Sequence, residues 1–203
     1  MKTCLIIGNG PSLADIPNEF LDKYPTFGSN RVYLKYTPDY YAAVNPNVVT
    51  QFSDEINGMN CVKYIRHDTH HLIKGSIPLY CARVYIFSPD ALKWVCEGWT
   101  VTYVLMQLAY YYGFERVGLV GVDHSYTFDG QPDQLLTGEG ADPNHFHPDY
   151  FGEGVKWQAP DLEQSVTHYR LARQAFEANG GEIVNLTIRS KLDVFRCEDW
   201  QRW

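Results

Sequence analysis

Small polar residues follow four short apolar runs of the chain, and side chains of this kind bind ligands. The four positions are Asn9, Asn30, Asn45 and Asp123. An amide side chain donates and accepts hydrogen bonds at once, which suits ribose hydroxyls and the edges of a base. Each position alone is explained equally well by local capping of the next turn, as Asn45 before a proline illustrates. Taken together, the four favour a ligand site.

The first of these residues lies in a glycine-rich turn, Gly8-Asn9-Gly10, which continues into Pro-Ser12-Leu13. Glycines let a backbone turn tightly and approach a ligand, and the start of the following helix offers free N–H groups to an anion. Ser12 is expected to be the N-cap and can donate its hydroxyl. Leu13 stands where the dinucleotide fingerprint has its third glycine, so hydride transfer with NAD is disfavoured. We predict that the turn holds the phosphate end of a nucleotide; a plain strand-to-helix turn is the alternative.

A second group of candidates could move a proton. His145 and His147 could act as the base for a substrate hydroxyl, with Asp142 or Asp149 as the orienting partner. Glu153 could do the same if its environment raised its pKa. Two histidines separated by one residue, together with Asp149, could instead bind a metal. Structural roles in capping turns are a third interpretation.

Alternating strand and helix patterns must position these residues. Strands are predicted at 2–7, 26–29, 39–44, 61–65, 79–87, 116–122 and 182–185, and helices at 13–24, 46–56, 100–112 and 161–179. The helix at 100–112 is apolar nearly all round, which indicates burial, and 116–122 is typical of a central parallel strand.

The order of the predicted elements indicates an α/β fold. We expect a Rossmann-like, mostly parallel sheet with helices on both faces, formed by one nucleotide-binding domain over residues 1–203. Ligands bind such sheets at the carboxyl ends of the strands. The polar, Gly- and Pro-rich stretch 126–160 has no periodicity and is predicted to be a long, mobile, lid-like loop.

Composition limits the classes of partner and the cellular location that we expect. The formal net charge is -7 and the basic residues are scattered, so no nucleic-acid partner is expected. Five cysteines occur singly, which fits a reducing compartment and a cytoplasmic location. No stretch is long and apolar enough for a transmembrane segment.

The order of several motifs resembles a known family. These motifs are IIGNGPSL, FGSN, AAVNPNVV, and TVTYVLMQLAYYYGF running into VGLVGVD. In this order they resemble the bacterial sialyltransferases of glycosyltransferase family 42. They are also similar to the uncharacterised proteins related to archaeal 6-hydroxymethylpterin diphosphokinase.

The resemblance to the sialyltransferases implies a metal-independent glycosyltransferase with a CMP-sugar donor and a small or glycan acceptor. It implies further that related chains assemble as homo-oligomers. Asn9, Ser12, Asn30 and Asn45 would hold cytidine, ribose or phosphate groups. Further donor contacts would come from Thr100, Tyr126 and Ser190, with Tyr126 steadying the leaving phosphate. Where the family has a catalytic histidine after a tyrosine-x-glycine segment, this chain has Glu153.

Two other functions remain open. A diphosphokinase would use ATP with Mg²⁺ as cofactor and would need acidic residues facing the phosphates. The archaeal enzymes have an aspartate-rich segment where this chain has residues 44–47, Val-Asn-Pro-Asn, although Asp123 remains available. A non-catalytic nucleotide-binding module is the third possibility.

Overall fold

The computed structural model describes residues 1–203 and has an eight-stranded sheet at its centre. The strands are β1 (Thr3–Ile7), β2 (Thr26–Ser29), β3 (Tyr40–Ala43), β4 (Val62–Arg66), β5 (Ile77–Leu79), β6 (Cys81–Ala82), β7 (Val95–Cys96), β8 (Arg116–Val120), β9 (Leu135–Thr137), β10 (Lys156–Gln158), β11 (Glu182–Asn185) and β12 (Arg196–Cys197). The helices are α1 (Asn18–Leu21), α2 (Pro46–Gln51), α3 (Ser53–Gly58), α4 (Val101–Tyr111) and α5 (Leu162–Ala178). The large sheet has the order β12-β11-β8-β1-β2-β3-β4-β5, and all its pairs are parallel.

The strands β2 to β5 lie in chain order on one side of β1, and β8, β11 and β12 lie in chain order on its other side. Ile7 lies opposite Gly28 of β2 on one side and opposite Val120 of β8 on the other. The crossovers from β1 to β2 and from β8 to β11 therefore leave in opposite directions, which opens a crevice at the carboxyl ends of β1 and β8. The predicted strand-end residues Asn9 and Asp123 lie at this point.

Both faces of the sheet are covered, which confirms the predicted α/β architecture. Cys4 and Ile6 of β1 belong to a core cluster with α4 and α5, whereas Leu5 and Ile7 belong to a second cluster on the opposite face. All residues of α4 from Thr102 to Ala109 are buried, as expected for a helix that is apolar all round.

Some local predictions were wrong. A strand over 79–87 was predicted, but the main sheet ends at β5 and Val84 to Ile86 are exposed residues outside any strand. The helix predicted over 46–56 is broken at Phe52 into α2 and α3. Ser12 is not an N-cap: the short 3-10 helix Pro11–Asp15 begins after Gly10.

The segment 126–160 contains the antiparallel ribbon β9–β10, where a loop without regular structure was predicted. The remainder is loop, and it is anchored to the sheet. The Phe146 N–H donates to Asn9 O at 3.1 Å, and Arg31 Nη1 donates to Tyr150 O at 2.5 Å. Motion of this segment stays a prediction.

The carboxyl-terminal residues add an eighth strand, β12, that the sequence pattern did not indicate. Beyond it, Trp200 and Trp203 pack against the core cluster formed with Leu5 and Ile7. No helix of the chain combines the length and apolar character needed to cross a bilayer.

Candidate functional site

Two cavities adjoin at the carboxyl ends of the central strands. The larger, of about 260 Å³, is lined by the predicted site residues Asn9, Asn30, Asn45, Thr100, Tyr126 and His145. The smaller, of about 100 Å³, is lined by the predicted residues Gly8, Asn9, Gly10, Thr100, Asp123 and Tyr126. Because Asn9, Thr100 and Tyr126 line both, the two cavities form one neighbourhood.

Two amide oxygens in this neighbourhood are buried without a hydrogen-bond partner: Asn9 Oδ1 and Asn30 Oδ1. The Asn9 amide nitrogen is used, since Nδ2 donates to the carbonyl oxygen of Ser29 at 3.2 Å. Asn30 has a φ of 51°, in the left-handed region that asparagine tolerates better than most residues. A buried acceptor without a partner costs about 1–3 kcal/mol, and a donor group on a ligand would remove that cost.

Asn45 has a structural role as well as a place in the larger cavity. Its Oδ1 accepts a hydrogen bond from the Asn47 N–H at 2.9 Å and so caps the start of α2. The capping interpretation of this residue is therefore confirmed. The amide nitrogen is the group of Asn45 that can donate to a ligand.

The glycine turn is shaped by the close approach of the segments that follow β1 and β8. A Cβ atom at Gly8 would lie 2.4 Å from Gly121 O, and one at Gly10 would lie 2.0 Å from Asp123 Oδ2. The Gly10 N–H donates to Gly121 O at 2.8 Å. These two glycines are thus explained by contact between two turns of the protein.

The anion expected at the start of the 3-10 helix is supplied by the protein. Asp123 Oδ2 accepts from Ser12 Oγ at 2.7 Å, and Asp123 Oδ1 accepts from the Ser12 N–H at 3.3 Å. Burial raises the pKa of Asp123, and its hydrogen bonds with Ser12 oppose this rise. A ligand phosphate at the Ser12 amide would face the Asp123 carboxylate, so this structure does not offer the phosphate position that the sequence predicts there.

His145 is the centre of a buried hydrogen-bonded group. Its Nδ1 lies 2.7 Å from Asp142 Oδ2, its Nε2 lies 3.3 Å from the Tyr126 hydroxyl, and its ring stacks on Tyr150 with centroids 3.9 Å apart. The side chains of His145 and Asp142 are each 4% exposed. Asp142 is therefore the orienting partner, in preference to Asp149.

The ionisation of Asp142 sets the roles of the two ring nitrogens. Burial favours the neutral acid, but hydrogen bonds from His145 and from the N–H groups of Asn144 and Phe151 lower the pKa of Asp142 on balance. An ionised carboxylate accepts from Nδ1–H, which leaves Nε2 with the lone pair. In the neutral imidazole with its proton on Nδ1, Nε2 is the acceptor and the Tyr126 hydroxyl is its donor. Burial raises the pKa of Tyr126, which keeps this hydroxyl protonated.

Three other predicted residues lie outside both cavities. His147 Nδ1 accepts from the Asp149 N–H at 3.2 Å, which is a turn-capping contact. Glu153 is exposed. Ser190 Oγ donates to the carbonyl oxygen of Val122 at 2.6 Å. No three His, Cys, Asp or Glu side chains come together as a metal-binding cluster, and His145 has its ring nitrogens on Asp142 and Tyr126.

The larger cavity also contains residues that sequence patterns did not single out. Glu97 pairs with both Arg66 and Arg83, and its Oε2 lies 2.9 Å from Arg83 Nε. Trp99 lines both cavities. No motif connects Arg66 and Arg83 with the turn at 97–99, because the fold brings these three segments together. Gly98 before Trp99 and Thr100 was the one local sign of a tight turn.

Asn9, Asn30 and His145 therefore line one cavity, with the Asn9 and Asn30 amide oxygens buried without partners and Asp142 hydrogen-bonded to the His145 ring. A functional assignment therefore depends on the chemistry of these side chains. Comparisons with protein-family models, with curated proteins and with solved structures found no match to the chain.

Proposed function

We propose that the protein is a nucleotide-sugar-dependent glycosyltransferase, similar to the sialyltransferases, with a CMP-sugar as the favoured donor and no metal requirement. One observation carries the proposal. Two buried amide oxygens without partners, on Asn9 and Asn30, share a cavity with a histidine that a carboxylate orients. The amides fit the donors of a nucleoside, and the histidine fits deprotonation of a hydroxyl.

The hydrogen-bonding capacity of the cavity favours the nucleoside part of the donor. Asn9 Oδ1 and Asn30 Oδ1 can only accept, so they call for ribose hydroxyls or for the amino group of a base such as cytosine. The phosphate belongs near donor groups away from Asp123. The hydroxyls of Thr100 and Tyr126 lie at the junction of the two cavities and can donate to it.

The transfer step uses His145 as general base. An acceptor hydroxyl gives its proton to Nε2 while its oxygen bonds to the anomeric carbon of the donor. The bond from that carbon to the phosphate oxygen breaks, and its electron pair leaves with the nucleotide. Asp142 holds the ring and stabilises the imidazolium that forms. An acceptor hydroxyl at Nε2 would replace the 3.3 Å contact with Tyr126, whose hydroxyl could then donate to the leaving phosphate.

The segment 126–160 contributes Tyr126 and His145 and is proposed to close over the donor. Closure would exclude water, which would otherwise hydrolyse the donor. If so, amide hydrogen exchange within 126–160 should slow on addition of CMP-sugar. Unchanged exchange with a bound donor would show that the segment is closed from the start.

The decisive experiment is a thermal-shift screen with CMP, CDP, UDP, GDP, ADP and ATP, each with and without Mg²⁺. A ligand that binds only the folded state raises the melting temperature. We expect a shift with CMP or CDP that does not depend on metal. A shift with ATP or ADP that requires Mg²⁺ would instead indicate phosphoryl transfer, and no shift with any of the six would contradict a nucleotide site.

Turnover separates an enzyme from a binding module. Release of CMP from a CMP-sugar in the presence of acceptor should fall about 100-fold or more in His145→Gln, while CMP affinity stays unchanged. His147→Gln is the matched control, because that ring lies outside the cavities. Intact binding with no turnover in the wild type, across sugar acceptors, would identify a non-catalytic nucleotide-binding module.

A further inference from the structure

Trp99 has a backbone conformation that its side chain disfavours. Its φ is 59°, directly after Gly98 at 61° and directly before Thr100, the N-cap of α4. A left-handed conformation is unfavourable for a residue with a Cβ, because the Cβ approaches the following carbonyl oxygen. Such residues persist where the surrounding structure holds them, and they cluster at ligand-binding sites.

The place of Trp99 in the site suggests what its indole contacts. Trp99 lines the larger and the smaller cavity, together with Thr100 and Tyr126. The guanidinium of Arg83 lies 5.2 Å from the centre of the indole, and Glu97 holds that guanidinium through a 2.9 Å contact with Nε. The Arg83 guanidinium, paired with Glu97, therefore packs beside the indole where the two cavities meet.

The smaller cavity is rich in hydroxyl groups. Thr100, Thr102, Ser125, Tyr126, Ser165 and Tyr169 all line it. Hydroxyls both donate and accept, which matches the hydroxyls around the edge of a sugar ring. An aromatic face beside them can cover the apolar C–H face of the same ring. About 100 Å³ also exceeds what a single water molecule needs.

We propose that Trp99 stacks on the sugar ring of the donor and thereby recognises the sugar rather than the nucleotide. The nucleotide lies on the Asn9 and Asn30 side of the junction, and the sugar edge faces the hydroxyls of the smaller cavity. This inference rests on the proposed function. It adds the specific claim that the strained tryptophan is a sugar-binding residue.

The test compares Trp99→Gly, Trp99→Phe and Arg189→Gly by calorimetry with CMP and with CMP-N-acetylneuraminate. Trp99→Gly removes the ring and relieves the left-handed strain, which offsets part of the packing lost with the indole, so the variant should keep a cooperative melting transition. Its Kd for CMP should stay within about twofold, while its Kd for the CMP-sugar should rise about tenfold or more. Trp99→Phe, which keeps a smaller ring, should lie between.

Arg189→Gly is the matched control, because Arg189 is also left-handed, with a φ of 67°, and is exposed and outside both cavities. It should gain stability without a change in either Kd. Equal loss of CMP and CMP-sugar affinity in Trp99→Gly, or loss of neither, would overturn the role of Trp99 and leave the nucleotide site standing. A wild type that binds the CMP-sugar no better than CMP would overturn it too. Binding of neither ligand to the wild type would overturn both proposals.

Discussion

Asn9 and Asn30 hold buried oxygens that no protein donor reaches, and the proposed nucleotide site depends on this feature at the scale of single residues. Their burial follows from their position just beyond the ends of β1 and β2, where the sheet ends but the segment 126–160 continues over it. The Phe146 N–H, for example, donates to the carbonyl oxygen of Asn9. A ligand donor placed there gains a hydrogen bond without losing a protein one.

Asn30→Gly tests this directly. Glycine keeps the left-handed backbone at residue 30 and removes the amide, so the fold should be unaffected. The affinity for CMP should fall by about 1–3 kcal/mol, which is a roughly 5- to 150-fold rise in Kd by calorimetry. Asn57→Gly is not a suitable control, because the Asn57 amide donates to Leu72 O and accepts from the Lys74 N–H. The control is Asn60→Gly, because Asn60 is exposed. An unchanged Kd for CMP in Asn30→Gly would remove Asn30 from the site.

Ionisation of Asp142 should make the free energy of unfolding depend on pH in the acidic range. Its pKa is lower in the folded protein than its usual value of 3.8, so the stabilisation is present above that value and is lost as pH falls through the lower, folded-state pKa. We expect the free energy of unfolding of the wild type to decrease below about pH 4. Asp142→Asn should be less stable at pH 7 by about 1–3 kcal/mol and should have a flatter acid limb in urea titrations.

Asp149→Asn is the control for that experiment, because Asp149 is an exposed carboxylate in the same segment. It should leave the acid limb as in the wild type. If Asp142→Asn and Asp149→Asn have the same pH profile, the Asp142–His145 pair does not contribute to stability.

At the scale of elements, the glycine turn joins β1 to β8. Gly8 and Gly10 have no room for a side chain because the backbone and carboxylate that follow β8 lie against them. The turn therefore packs tightly against the segment that follows β8, at the strand ends that form the crevice. The same packing places Asp123 at the Ser12 amide.

Gly8→Ala should destabilise the protein by about 2 kcal/mol or more, because the new methyl group would meet the Gly121 carbonyl at 2.4 Å. Gly58→Ala is the matched substitution in open space, at the end of α3. It should be neutral or stabilising by up to about 1 kcal/mol. Chemical denaturation of both variants measures the difference, and equal stabilities would show that the β1 and β8 turns can separate without cost.

The elements that sequence could predict are those that carry their own periodicity. Apolar runs located β1, β8 and β11, and the apolar α4 was recognised as buried. β12 was missed because two residues, Arg196 and Cys197, join the sheet only through β11. Patterns within a segment contain no record of such a distant partner.

The same limit applies to the candidate site. Strand ends indicated Asn9, Asn30 and Asn45, because parallel strands bring their carboxyl ends to one edge. The partner of His145 could be narrowed only to Asp142 or Asp149, since the choice depends on how the loop turns. Trp99 gave no periodic signal, because its role comes from one left-handed dihedral angle and from cavities that distant segments complete.

At the scale of the whole molecule, the last residues close one face of the sheet. Arg116 lies with its guanidinium 3.7 Å from the centre of the Trp203 indole, and that ring also packs over Gly118, where a Cβ would come within 3.2 Å of it. The terminus is thus a part of the core that supports β8.

Trp203→Ala should lower the free energy of unfolding by about 2 kcal/mol, and the melting temperature by about 4–8 °C. Trp203→Phe should cost less, because it keeps much of the packing and removes the buried indole N–H that has no partner. Tyr111→Ala is the control, since Tyr111 is exposed. A melting temperature for Trp203→Ala equal to that of Tyr111→Ala would mean that the terminus does not stabilise β8.

The central position of β1 also has a consequence for how the chain acquires its structure. Thr3 lies opposite Arg116, so one edge of β1 stays unpaired during synthesis until β8, much later in the chain, has emerged. Such long-range parallel pairing is slow, and an open strand edge invites association with other chains. Because the crevice lies at the ends of β1 and β8, the partly synthesised sheet lacks the proposed ligand site. During refolding, the capacity to bind the proposed ligand should therefore appear with the slowest step, after α4 and the strands β2 to β5 have formed.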